Sequence, residues 1–139
     1  MLKQDCLTVQ SQLELLSEVQ QWFQSFCATS GLAWLERVFN SLNLALAEGF
    51  TNAVRHAHEN LPVDTPISID LALWCDRIEL RIWDHGQPFD PNRIPEPQPG
   101  TLCEGGYGWF LLRRLADRVE YQRRQGQNCL WIVKYSGRR

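Results

Sequence analysis

The apolar positions of the chain change period several times, and each change marks an element. Cys6 to Val9 reads as a short strand. Leu13, Leu16, Val19, Trp22, Phe23 and Phe26 then recur at three- and four-residue steps, the signature of one helix face. Ser11 is placed as the N-cap of that helix, with Glu14 three residues on as its capping-box partner. The helix is expected to end near Ala28, before Thr29-Ser30-Gly31. A second, longer helix is expected from about Ala33 to Asn60. Its stop is Asn60-Leu61-Pro62, because proline disfavours helix in the residue before it.

From Ile67 the period shortens to two. Ile67, Ile69, Leu71 and Leu73 alternate with Ser68, Asp70 and Ala72. After the turn at Cys75-Asp76-Arg77, Ile78, Leu80 and Ile82 alternate with Glu79, Arg81 and Trp83. These are two strands of a hairpin, and the second runs into Asp84-His85-Gly86. Between Gln87 and Gly106 all periodicity is lost, and five of the seven prolines fall there. A stretch of this kind in a compact domain reads as a functional lid or a linker, placed at about residues 87–106. Trp109, Phe110, Leu112, Leu115 and Ala116 mark a third helix. Val119 to Arg124 and Cys129 to Tyr135 close the chain as a hairpin around Gln125-Gly126-Gln127-Asn128. The order β-α-α-β-β-α-β-β predicts an α+β fold: a two-layer sandwich, with a mixed, mainly antiparallel sheet and helices on one face.

Composition narrows the function. The 139 residues suit one domain with one core, so the whole of 1–139 is taken as a single domain. A net charge of -2 without a basic block argues against a surface that neutralises phosphate backbones, so no nucleic-acid partner is expected. The five cysteines are scattered and contain no C-x-x-C pair, which points to reduced thiols in a cytoplasmic protein. Neither a signal peptide nor a membrane span is expected.

Three stretches carry chemistry. In LALAEGFTNAVRHAH, residues 44–58, Glu48, Asn52 and His56 recur every fourth position and stack along one helix face. Alone, that stripe reads equally as a solvated face of an amphipathic helix or as a pair of hard oxygen donors, of the kind magnesium accepts beside phosphates. Asp84 stands where a strand exits into the turn at Gly86. It is either an ordinary Asp-x-Gly turn or a carboxylate able to accept a hydrogen bond from an exocyclic amine. Gly105-Gly106-x-Gly108 opens the third helix and exposes N–H groups at the positive end of its dipole, which suits phosphate. It is neither a P-loop, because no Lys-Ser or Lys-Thr pair follows, nor a Rossmann fingerprint, because no strand precedes it.

In this order, with a loop between the second and third, these stretches resemble the nucleotide site of the GHKL superfamily of ATPases and kinases, the Bergerat fold. Within it they resemble the anti-sigma-factor serine/threonine kinases, the RsbW-like group. LALAEGFTNAVRHAH is similar to that group's N-box, WDHGQPFDP to its Asp-x-Gly-x-Pro-Phe-Asp box, and EGGYGWFLLRRLADRVEY to its glycine loop, helix and following strand. The resemblance implies that Asn52 holds Mg2+. It implies that Glu48 lies near the terminal phosphate of ATP and serves as base toward a substrate hydroxyl. Asp84 would accept from the adenine amino group with Gly86 at the base, and Gly105, Gly106 and Gly108 would form the phosphate loop. His56 matches a histidine common in the N-box and is read as a helix anchor; His58 and His85 are read as solvent or lid residues. Trp109 and Phe110 are read as core, and Arg113, Arg114 and Arg118 as a solvated face.

The chain departs from that pattern twice. Gln127-Asn128-Cys129-Leu130 stands where a threonine is common near the base. Glu104 and Tyr107 stand where a basic residue often flanks the glycine loop; Arg93 is the substitute considered. The implied activity is that of a magnesium-dependent serine/threonine kinase. Its implied substrate is a STAS-domain anti-anti-sigma factor, with a sigma factor or another regulatory protein as second partner and a homodimer as the assembly. The rival reading is a non-catalytic, nucleotide-gated module that sequesters a regulatory partner.

Overall fold

The computed structural model describes residues 1–88 and 107–137. β1 (Lys3–Gln10) leads through a 3-10 turn (Leu13–Leu15) into α1 (Leu16–Ala28) and α2 (Ala33–Asn52). One π-helical turn (Ala53–Ala57) extends α2 before β2 (Pro66–Leu73) and β3 (Arg77–Asp84). α3 (Tyr107–Leu115), β4 (Arg118–Arg124) and β5 (Gln127–Tyr135) complete the order. The strands form one sheet in the order β1-β2-β3-β5-β4, with each pair antiparallel. Among the described strands no parallel pair forms, although a mixed sheet was expected. The helical crossover through α3 leaves β3 and β4 pointing the same way, and β5 inserts between them.

The helices cover one face of the sheet. The alternation of β2 and β3 turns Ile67, Ile69, Leu71, Ile78, Leu80 and Ile82 toward them, where Phe23, Leu35, Leu42, Leu46 and Phe50 complete a common core. Each such side chain contributes about 1.5–3 kcal/mol when fully buried. Gly49 lets α2 settle onto the sheet: a Cβ there would stand 2.5 Å from Ile82 Cδ1 and 2.9 Å from Leu130 Cδ2. Close seating offsets the helix propensity that glycine gives up.

Three local expectations are corrected. Ser11 is buried and caps nothing; Gln12 precedes the 3-10 turn and makes no side-chain cap bond. The second helix leaves α geometry after Asn52 rather than running on to Asn60. The last hairpin turns on two residues, Gln125 (φ 52°) and Gly126 (φ 77°), both left-handed as a tight two-residue turn requires. Gln127 and Asn128 are thereby released from the turn into β5, opposite Arg124 and Arg123.

Candidate functional site

A cavity of about 500 Å³ opens at one end of the helix-covered face. Asn52, His56, Asp84, Gly86, Trp109, Tyr121 and Asn128 are among its lining residues. Its volume lies in the range of small-molecule and cofactor sites.

The floor is polar for a reason of strand phase. Leu80, Ile82 and Asp84 point inward from β3, opposite Ile132, Leu130 and Asn128 of β5. On β4, Val119, Tyr121 and Arg123 continue the same rows. Two strands thus place aliphatic residues along the core and a polar one at the last inward position, and β4 ends likewise on Arg123. Asp84 is 4% exposed and Asn128 3%. A carboxylate so placed needs partners. Its Oδ1 accepts the Gly86 N–H at 2.9 Å and the Asn128 Nδ2–H at 3.0 Å. Asn128 Nδ2 also donates to the Gln87 carbonyl at 2.8 Å. Arg123 Nη1 donates to Asn128 Oδ1 at 3.0 Å and to the Gly86 carbonyl at 2.8 Å. Asn128 departs from the family pattern, and nothing in the sequence around Arg123 marks it as part of the site. The available signal was a polar residue in the inward phase of Asn128-x-Leu130-x-Ile132.

Aromatic groups form the adjoining wall. Trp109, in the first turn of α3, packs on Tyr121 with ring centroids 5.6 Å apart. Trp109 is buried with the core, as read from the sequence, and it also faces the cavity. Burial, with the Asp84 carboxylate, pushes the Tyr121 hydroxyl well above its usual range, so it stays a neutral phenol.

Asn52 lies at the end of α2 and reaches the cavity; Glu48, one turn earlier and half-buried, is not among the lining residues. Both nevertheless meet Gly108 at the start of α3. A Cβ on Gly108 would stand 3.0 Å from Asn52 Nδ2, 3.3 Å from Asn52 Oδ1 and 3.2 Å from Glu48 Oε2. The carboxylate, the carboxamide and the N-terminal turn of α3 therefore converge so closely that a Cβ at Gly108 would push both side-chain ends aside by a few tenths of an ångström.

The π turn changes which histidine faces inward. The His58 N–H reaches Ala53 O at 2.9 Å, a five-residue step, and the longer turn breaks the four-residue stack. His56 consequently is exposed at the cavity rim rather than packed as the helix anchor. His58, expected in solvent, is 3% exposed. Its Nε2 accepts the His85 N–H at 2.8 Å. Burial lowers its pKa, the Asp84 carboxylate pulls it back up, and His85 lowers it further; the net direction is down. The ring is thus a neutral acceptor at Nε2. His85 itself is exposed. Gly86 lies tightly under the same turn: a Cβ there would stand 2.6 Å from Ala57 O and 2.9 Å from Ala57 Cα.

Gly105 and Gly106, with Arg93, Glu104 and residues 89–106 of the expected lid, lie outside the described residues. Of the glycine loop, Gly108 alone is placed against the other stretches. Among the described residues no three His, Cys, Asp or Glu side chains gather as a metal cage. A magnesium ion fits such a site through few protein oxygens, with phosphates and waters completing its shell. No helix of the described residues is long and apolar enough to cross a membrane.

Comparison with known proteins places the chain. The profile of the family described as the histidine kinase-like ATPase domain matches residues 9–134. The serine-protein kinase RsbW of Oceanobacillus iheyensis is 37% identical over 61% of this chain and 58% of its own length. The RsbW of Bacillus subtilis is 30% identical over 70% of this chain and 66% of its own. The chain thus spans about three fifths of those two relatives. The serine/threonine-protein kinase BtrW of Bordetella bronchiseptica is 31% identical over 78% of this chain and 86% of its own length. A crystal structure of the RsbU and RsbW domains of a Mycobacterium tuberculosis protein superposes with a TM-score of 0.68. It covers 95% of this chain and 32% of that one at 15% identity, which speaks for the fold. The profile spans nearly the whole chain and BtrW matches over most of its length, so the chain belongs to the histidine kinase-like ATPase domain family, in its RsbW-like group.

Proposed function

We propose that the protein is an ATP- and magnesium-dependent serine/threonine kinase. Its substrate would be a serine or threonine of a STAS-domain anti-anti-sigma factor in a partner switch, with a sigma factor or other regulatory protein as the second partner. The carrying observation is the convergence of Glu48 and Asn52 on Gly108 beside a cavity floored by the buried Asp84. The names of the relatives support the same reading.

Each residue has a task that follows from its position. Asp84, held by Gly86 and Asn128, offers a fixed acceptor to an amino-bearing base. Trp109 and Tyr121 exclude water from that end of the cavity. Asn52 is the side chain that would hold magnesium, which when bound neutralises charge on the phosphate oxygens. The backbone at Gly108, at the positive end of α3, stabilises negative charge near the transferring group. Glu48 lies beside it as the base that takes the proton from the substrate hydroxyl, and most of the rate enhancement is positioning and electrostatics.

The test is phosphoryl transfer from labelled Mg-ATP to STAS-domain proteins of the same organism, comparing wild type with Glu48→Gln. Transfer to a serine or threonine of one partner, reduced about 10²–10⁴-fold in the variant, supports the kinase. Nucleotide binding and capture of a partner with no transfer by wild type favours the nucleotide-gated binding module instead.

A further inference from the structure

β4 and β5 reach across the cavity floor to the turn that follows β3. Asn128 stands in register between Asp84 on one side and Arg123 on the other. We infer that Arg123 and Asn128 are positioning residues for base selectivity: together they clamp the 84–87 turn so that Asp84 presents a fixed acceptor edge to the ligand. The inference rests on the nucleotide reading of the cavity proposed above.

The hydrogens of the Asn128 amide and of Arg123 Nη1 are all accounted for at the turn. The Asn128 amide has two, and both are committed, one to Asp84 Oδ1 and one to the Gln87 carbonyl. Its oxygen is met by the Arg123 guanidinium, whose Nη1 spends its second hydrogen on the Gly86 carbonyl. The amide therefore has one orientation. Flipped, its oxygen would face a carboxylate and a carbonyl, and its NH2 would face a cation that only donates. Rotation of the carboxylate would leave the Gly86 N–H and the Asn128 N–H unpaired at two nearly buried positions. The Gly86 and Gln87 carbonyls are fixed by the same two side chains, so the backbone of the turn cannot relax either.

At this place the floor offers the Asp84 acceptor, and the Asn128 amide and Arg123 Nη1 beside it have already used the hydrogens that could have turned toward a ligand. It suits a base that brings an amine and opposes one that brings a carbonyl oxygen to the same place. Without the clamp the carboxylate can swing, and the energetic difference between amine and carbonyl shrinks. Charge-assisted hydrogen bonds are the ones most sensitive to such misalignment.

The experiment is equilibrium binding of Mg-ATP and Mg-ITP to the full chain. Inosine triphosphate carries an oxo group where ATP has its 6-amino group. Wild type should prefer ATP. Asn128→Ala should lower that preference about tenfold or more, mainly through weaker ATP binding. Arg123→Met should lower it by a smaller factor, and Arg123→Lys, which keeps a cationic donor, should recover most of the loss. A purely structural role would weaken both nucleotides alike. Equal weakening in Asn128→Ala, or a wild-type ratio in Arg123→Met, would overturn the clamp while leaving the cavity a nucleotide site. A wild type that binds both equally, or neither, would sink the nucleotide reading of Asp84 and the clamp with it. Arg123 is exposed, so its two variants carry the test even if Asn128→Ala fails to fold.

Discussion

His58 Nε2 accepts the backbone N–H of His85 at 2.8 Å, and this bond ties the end of the π turn to the exit of β3. It needs a neutral imidazole. Unfolded, His58 titrates at its ordinary 6.5; folded, burial holds it lower, against the pull of Asp84 and with a push from His85. Below the ordinary value the unfolded chain binds more protons than the folded one. The stabilisation is therefore fully present above pH 6.5 and is lost as pH falls from there toward the folded pKa. His58→Gln keeps an acceptor that does not titrate. Urea midpoints measured from about pH 7.5 down to about pH 5 should fall more steeply for wild type than for the variant. Parallel slopes would assign the acid sensitivity to other groups.

Gly86→Ala should destabilise the fold. The new Cβ would stand 2.6 Å from the Ala57 carbonyl oxygen and 2.9 Å from its Cα, and backbone atoms cannot step aside as a side-chain tip can. Overpacking of this kind costs about 1–3 kcal/mol. Chemical denaturation would read it directly, and a variant as stable as wild type would mean that the turn can shift without loss.

Gly108→Ala should separate function from stability. The atoms it meets are the ends of the Asn52 and Glu48 side chains, which can move by a few tenths of an ångström, and alanine favours the helix. The melting temperature should hold or rise. Phosphoryl transfer should fall about 10²-fold, because the displaced groups are the ones proposed above as the base and the magnesium ligand. Full activity with a stable fold would remove Gly108 from the candidate site.

Thiol reactivity should divide by burial. Burial pushes the Cys27 thiol up to about 12 and the Cys129 thiol up to about 11, opposed in the first by Lys3 and in the second mainly by Arg81 and Arg124. Cys6 and Cys75 are exposed. In a Cys103→Ser background, a disulfide reagent near neutral pH should modify Cys6 and Cys75 rapidly and the other two only on unfolding. Fast labelling of Cys129 would mean that β5 opens in the native state.

Much of this architecture was legible in the residues because side-chain phase is local. Ile67 to Leu73 and Ile78 to Trp83 alternate visibly, and the hairpin between them pairs as the alternation requires. Leu13 to Phe26 carried a helical period, although its first turn winds as a 3-10 helix without the Ser11 cap. The resemblance carried by LALAEGFTNAVRHAH and Asp84-His85-Gly86 was likewise legible, since residue type and spacing are properties of a short stretch.

The sequence by itself determined the strand and helix phases, the three stretches that resemble a nucleotide site, and hence the family. Tertiary structure alone decided how those stretches meet. Asp84 and Asn128 are 44 residues apart and become partners through the β3–β5 register. That register depends on a two-residue turn at Gln125-Gly126 and on the insertion of β5 beside β3. The exchange of His56 for His58 has the same origin: a lone helix would keep its four-residue stack, whereas a bond to His85 and the close seat of Gly86 on Ala57 accompany the wider turn. Local propensity favours regular helix at these residues, and contacts with a strand nearly thirty positions away, 27 in the case of His85, compete with it. Local pattern does not encode such contacts, because each one depends on where the rest of the chain has packed.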